Sequence, residues 1–241
     1  MRYRILGPLE VHNNLSVATP TAPKTASVLA MLLVHANCLV LTETIMEDIW
    51  GENPPASAST TLQTYIYQIR GALGRGTIMT RPGGYSLPVD EGDLDLLRFR
   101  SKLHQGRCLL DMGQPSEALD ELRCGLSLWN GRPLSNVRCG SLLGLDLQHL
   151  EEERRRAAEL SVEAAFAAGR HREVIADLRM LIAKDPYDEW LHARLIEALI
   201  LVGRRRDALQ VYSSVREMLA EQLGLDPMQE LRELERQILE C

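Results

Sequence analysis

No stretch of this sequence approaches the roughly 18 apolar residues that span a membrane. The opening, MRYRILGPLEVHNN, reaches Gly7-Pro8 and then polar residues before a signal-peptide core could form. A cytoplasmic protein with no membrane partner is the expectation. Cysteines are few and unpaired in spacing: Cys38, Cys108, Cys124, Cys139 and Cys241, with no CxxC and no Cys/His cluster. That pattern excludes a disulfide framework and a zinc site built from neighbouring ligands. Catalytic motifs are missing as well. There is no GxxxxGK phosphate loop, no GxSxG and no HExxH, and the six His are scattered. Neither an enzyme nor a metal or cofactor site is expected. A uniformly basic coat is absent too, because 27 bases face 33 acids.

The chain of 241 residues, 45% hydrophobic and 25% charged, is a globular sequence long enough for two domains. Its composition changes near Asp90–Gly92. Before that point, β-like runs alternate with helical patterns and Pro and Gly recur. Beyond it, helical periodicity dominates. Residues 1–89 carry six bases and five acids, whereas the remainder carries 21 bases and 28 acids. The first part is therefore the better candidate for meeting an anion.

Tyr3–Leu6 and Leu9–His12, split by Gly7-Pro8, suggest two short strands. Lys24–Ala36 is helical, with Val28, Leu29, Leu32 and Leu33 as its apolar stripe. Thr42 is placed to cap a helix ending at Trp50, and Ser57 a third helix running to about Leu73. Thr77–Arg81 and Tyr85–Val89 then form a hairpin around Pro82-Gly83-Gly84. Strands, three helices and a hairpin make a winged helix-turn-helix with an added N-terminal sheet. In the third helix, Leu62, Ile66, Ile69 and Leu73 share one face, while Thr60, Thr64, Tyr67 and Gly71 lie opposite, with Ser57 and Gln68 beside them. No acid occurs from Ser57 to Leu73. A helix laid against phosphates excludes carboxylates, whereas hydroxyls and amides bond phosphates and base edges.

The second part repeats itself. Gly113, Gly169 and Gly203 are each followed four residues later by an acid and then a small or branched apolar residue. The last two copies are 34 residues apart, the period of a tetratricopeptide repeat. The first two are 56 apart, which leaves an inserted connection over Asn130–Leu150, where Gly131, Pro133, Gly140 and Gly144 interrupt helix. Stacked helical pairs over 93–241 are expected to fold without the first part. The basic runs Arg154–Arg156 and Arg204–Arg206 are read as helix-surface pairs and turn residues. Trp50, Trp129 and Trp190 are read as core anchors, and His171 beside Glu173 as a surface pair.

These residues resemble the antibiotic regulatory protein (SARP) family of actinomycete transcription activators over nearly the whole chain. The match runs through APKTASVLAMLLVHAN, IWGENPPASASTTLQTYIYQIRGALG and IMTRPGGYSL, similar to an OmpR-type winged helix over 1–90. LSLWNGRPL, GRHREVIADLRMLIAKDP and GRRRDALQVYSSVREMLAEQLGLDP resemble a bacterial transcriptional activator domain over 93–241. The resemblance implies a mostly α protein that binds direct repeats in promoter DNA as a side-by-side homodimer. It also implies recruitment of RNA polymerase through the σ factor and nearby polymerase subunits, to switch on a secondary-metabolite cluster. By this likeness the third helix enters the major groove and the hairpin lies near the minor groove. The candidate DNA contacts are Ser57, Thr60, Thr61, Thr64, Tyr67, Gln68 and Arg70, then Lys24 and Arg75, then Arg81, Gly83 and Tyr85. Members of the family often carry bases near the positions held here by Ala26, Ser59, Gln68 and Gly71. Weak DNA binding by the lone protein follows. The alternative is a tetratricopeptide adaptor or ligand-sensing regulator whose winged domain binds DNA weakly.

Overall fold

The structure, a computed structural model, describes residues 1–13, 16, 17 and 19–240. β1 (Arg2–Arg4), β2 (Glu10–Asn13) and β3 (Ser16–Val17) form an antiparallel sheet in that order. α1 (Pro23–Val34), β4 (Val40–Leu41), α2 (Thr42–Trp50), α3 (Ala58–Leu73), β5 (Met79–Arg81) and β6 (Gly84–Ser86) follow. β4 pairs with β6, and β6 with β5, so the hairpin is the edge of a three-stranded wing. β4, two residues long, gave no periodicity to read. Gly83 sits at the hairpin tip with φ +79°, the left-handed geometry that the third position of a type II turn demands. Thr42 is not a cap: Leu41 holds that position, and Thr42 is the first helical residue. Ser57 does occupy the N-cap of α3, but its hydroxyl makes no capping bond.

The rest is helical: α4 (Asp95–Asp111), α5 (Pro115–Leu126), α6 (Ser141–Ala167), α7 (His171–Lys184), α8 (Glu189–Leu201), α9 (Arg205–Met218) and α10 (Gln229–Glu240). A mostly α protein with an N-terminal winged helix and an all-α second part is what the sequence implied. Cα packing divides it into two compact units. One comprises Met1–Gln105 with Glu121–Ala158, the other Gly106–Asp120 with the residues from Glu159 onward.

In the first unit a single apolar core joins residues on both sides of position 90. Ile5, Leu6, Leu9, Leu29 and Leu33 pack in it with Phe99, Trp129, Leu134, Leu143 and Leu150. Phe99 meets Trp129 edge to face, with ring centroids 5.3 Å apart. Of the insertion expected over Asn130–Leu150, only 130–140 is irregular, and it is stitched to the N-terminal strands. Asn130 N–H donates to Leu6 O at 2.7 Å, Leu134 N–H to Gly7 O at 2.6 Å, and Asn136 exchanges two bonds with the Leu9 backbone. Gly144 does not interrupt helix. It lies inside α6, which packing holds against the modest cost of an internal glycine. This cover explains why α1 is buried on every side from Thr25 to Val34, rather than along one stripe.

Two acids complete the first unit. Asp95, at the start of α4, accepts from the backbone N–H groups of Ile5, Leu6 and Leu96 at 2.8–3.0 Å. Burial pushes its carboxyl above the ordinary carboxylate range, against the pull of those three donors and of Arg4. Asp48, buried on α2, accepts from Gly140 N–H at 3.2 Å and Leu143 N–H at 2.8 Å, and so caps α6. Position 140 must be glycine, because a Cβ there would fall 1.9 Å from the Asp48 carbonyl oxygen.

In the second unit α8 lies centrally, against α7, α9 and α10. Asp188 caps it through Trp190 and Leu191 N–H. Gly113, Gly169 and Gly203 follow the ends of α4, α6 and α8 with the same left-handed φ, between +68° and +76°. Of the three Trp, only Trp129 is buried in the core; Trp50 and Trp190 are half-exposed.

Candidate nucleic-acid interface

α3 is amphipathic in an unusual sense. Ala58, Leu62, Ile66, Ile69 and Leu73 are buried, and the opposite face is polar but uncharged. Thr60, Gln63, Thr64, Tyr67 and Gln68 are exposed, Tyr67 by 74%, and Thr61 is half-buried. The absence of acid extends well beyond the helix: no Asp or Glu occurs between Glu52 and Asp90, while Arg70, Arg75 and Arg81 do. That longer run was legible in the sequence and covers both α3 and the wing.

The structure assigns the candidate residues distinct surroundings. Thr64 Oγ1 donates to Thr60 O at 3.1 Å, which leaves its methyl group and oxygen lone pairs facing out. Thr25 Oγ1 donates to Gln68 Oε1 at 2.9 Å, which orients the Gln68 amide and leaves its NH2 to donate outward. Lys24 lies over the Trp50 ring at 5.0 Å, and Trp50 stacks on Tyr65 at 6.3 Å between centroids. α1, α2 and α3 therefore bring Lys24, Gln68 and this aromatic pair together.

Arg70 has structural work. Its Nε and Nη2 donate to Ile78 O at 3.1 and 2.8 Å, and Nη2 also to Thr80 Oγ1 at 2.8 Å. It straps α3 to β5, and only Nη1 remains for an outside acceptor. Arg75, Arg81 and Gly83 are exposed, at the end of α3 and along the wing. Arg81 Nη2 lies 3.3 Å from Met79 Sδ. Tyr85, on β6, is only 9% exposed and supports the wing from beneath. Ser57 stands exposed at the head of α3.

Three members of the basic runs, Arg154, Arg204 and Arg205, are engaged elsewhere. Arg154 stacks over Trp129 at 4.8 Å and pairs with Glu151 at 3.6 Å. Arg204 pairs with Asp207, and Arg205 donates to Leu239 O at 3.0 Å. Glu173 accepts from Arg170, while His171 packs on Phe166, so these two neighbours have separate partners. Among the described residues no group of His, Cys, Asp and Glu could hold a metal ion, and no helix is long and apolar enough to cross a membrane.

Residues 94–239 match the bacterial transcriptional activator domain, and residues 18–87 the transcriptional regulatory protein C-terminal domain. The chain is 35% identical to regulatory protein DnrI of Streptomyces peucetius, over 99% of this chain and 92% of DnrI. The chain belongs to the SARP family. Regulatory protein AfsR of Streptomyces griseus is 30% identical over 99% of this chain, which spans only 24% of AfsR. The solved structure of Mycobacterium tuberculosis EmbR in complex with a low affinity phosphopeptide has a TM-score of 0.89 and 32% identity. It covers 99% of this chain and 65% of that one. The winged helix of this SARP chain, α3 included, lies within the part that matches the transcriptional regulatory protein C-terminal domain.

Proposed function

We propose that this protein activates transcription by binding promoter direct repeats as a side-by-side homodimer and recruiting RNA polymerase through its σ factor. Its target is a secondary-metabolite gene cluster. Residues 1–90 act on the DNA and residues 93–241, a tetratricopeptide-like array, on the polymerase. The reading rests above all on one observation. A solvent-exposed recognition helix carries hydroxyls and amides with no carboxylate, inside a segment without acids from residue 53 to residue 89. An ordinary solvated helix face has no reason to avoid Glu and Asp.

Within the surface, roles divide by chemistry. Thr60, Thr61, Thr64, Tyr67 and Gln68 meet base edges, with Ser57 at the entry of the helix. Lys24, Arg75, Arg81 and the free edge of Arg70 neutralise phosphates, and Gly83 lets the wing tip approach the backbone. Tyr85 acts as support for the wing. Few cations reach the DNA, so occupancy depends on the partner protomer and on polymerase. No catalytic step is involved.

A footprint of the protein on the promoter of its own cluster, with and without polymerase holoenzyme, tests the reading. Protection of repeated half-sites, strengthened by holoenzyme and accompanied by more run-off transcript, is expected. Holoenzyme-independent adaptor behaviour with no protection would favour the second reading, a protein-binding regulator that has lost its operator.

A further inference from the structure

Beside the recognition helix lies an open groove of about 700 Å³ lined by α1, α2, α3 and the segment leading into α6. Its cations are Lys24 and Arg138, both exposed, and neither forms an ion pair among the described residues. Its polar neutral groups include Thr25 and Gln68. Its single carboxylate, Asp48, is buried, with one oxygen bonded to Gly140 N–H and the other to Leu143 N–H. The groove is therefore positive and rich in donors, and it continues the exposed face of α3 through Gln68.

We infer that this groove is a phosphate-backbone cradle, and that Arg138 is a DNA contact supplied by the activator-domain part of the chain. The inference rests on the DNA-binding reading above and names a contact outside the winged helix. Arg138 is fixed for such a role on both sides. Ser27 Oγ, one turn into the buried helix α1, donates to the Arg138 carbonyl at 2.6 Å. Two residues on, Gly140 is clamped by Asp48. The main chain at 138 is thus ordered before any ligand arrives, and the guanidinium is left free to project into solvent. Its planar fork suits a phosphodiester, and little backbone entropy is lost on contact. Lys24, steadied over Trp50, provides the second charge. Together they supply cations where the third helix itself has Gln68 and Gly71.

The full chain is titrated by fluorescence anisotropy with a random duplex of about 30 base pairs over about 0.05–0.3 M salt, where the logarithmic slope counts phosphate contacts. Arg138→Ala is expected to make the slope shallower by about 0.9 per bound chain and to weaken binding about eightfold near 0.1 M salt, on promoter and random duplex alike. Arg138→Lys restores the slope, and Arg138→Glu weakens binding further than alanine. Arg132→Ala, outside this groove, leaves the slope unchanged. The Ser27 contact uses the backbone of 138, so thermal unfolding of all the variants should match the parent. An unchanged slope in Arg138→Ala, with Arg81→Ala still shallower, would overturn the cradle while leaving the DNA-binding reading intact. Absence of any salt-dependent duplex binding by the parent would overturn both.

Discussion

Asp48 and Asp95 hold backbone that would otherwise be buried without partners. Replacing Asp48 by Ala orphans the Gly140 and Leu143 N–H groups at the head of α6, at a cost of about 2–4 kcal/mol. Asp48→Asn keeps an acceptor and is expected to lose less. Urea denaturation of both variants measures the difference, and equal losses would assign the effect to packing. Asp95 brings a pH dependence with a definite sign. Its folded carboxyl holds the proton to higher pH than the unfolded one. Its contribution to stability is therefore full below the ordinary carboxylate range and is lost as pH rises through the raised folded value. Asp95→Asn should flatten the profile of urea midpoints across that window; an unaltered profile would assign the slope to other groups. Neither acid could be recognised in the sequence. Asp48 sits in a helix where an acid reads as solvated, and its partner Gly140 is 92 residues away. The buried face of α3, by contrast, was legible, because Leu62, Ile66, Ile69 and Leu73 obey helical spacing. Arg70 was not: its spacing suited a phosphate, and only the fold brings Ile78 and Thr80 to it.

At the scale of elements, the Arg70 guanidinium ties the wing to α3. Arg70→Ala removes two bonds to the Ile78 carbonyl, just before β5, and one to Thr80 on β5, and is expected to lower hydrogen-exchange protection of the β5–β6 amides by about 1–3 kcal/mol, while the α1 amides stay protected. Loss of protection throughout the core would mean that Arg70 supports more than the wing. The helices and the hairpin followed from periodicity and from Pro82-Gly83, because local physics dictates them. The insertion did not. Its glycines predicted broken helix over Asn130–Leu150, yet from Ser141 onward packing carries Gly144 in a continuous helix. The irregular part, 130–140, follows the N-terminal strands through backbone bonds that carry no sequence signature.

For the whole molecule, the shared core bears on how the chain can be cut. In a fragment from Asp93 to Cys241, Phe99, Trp129 and Leu134 lose Ile5, Leu6 and Leu9, and Asp95 loses two of its three donors. Such a fragment is expected to remain helical, with α7–α10 protected from exchange and residues 94–158 exchanging fast. Full-length protection over 94–158 would show the core contacts to be dispensable and would support independent folding of 93–241. The charge distribution adds a second whole-molecule expectation. With few cations placed near the DNA, the logarithmic salt slope of the proposed dimer should be about −4 to −7 without Arg138, and one to two units steeper with it. In the proposed DNA complex α3 reads sequence while the wing supplies charge. Thr64→Ala and Arg81→Ala, titrated against the footprinted site and a scrambled duplex at several salt concentrations, test it most directly. Thr64→Ala should cost about 1–3 kcal/mol on the true site and far less on the scrambled one. Arg81→Ala should weaken both alike and make the slope shallower by about 1 per protomer. If Arg81→Ala instead abolishes only the specific complex and Thr64→Ala changes nothing, the wing reads the sequence and α3 does not.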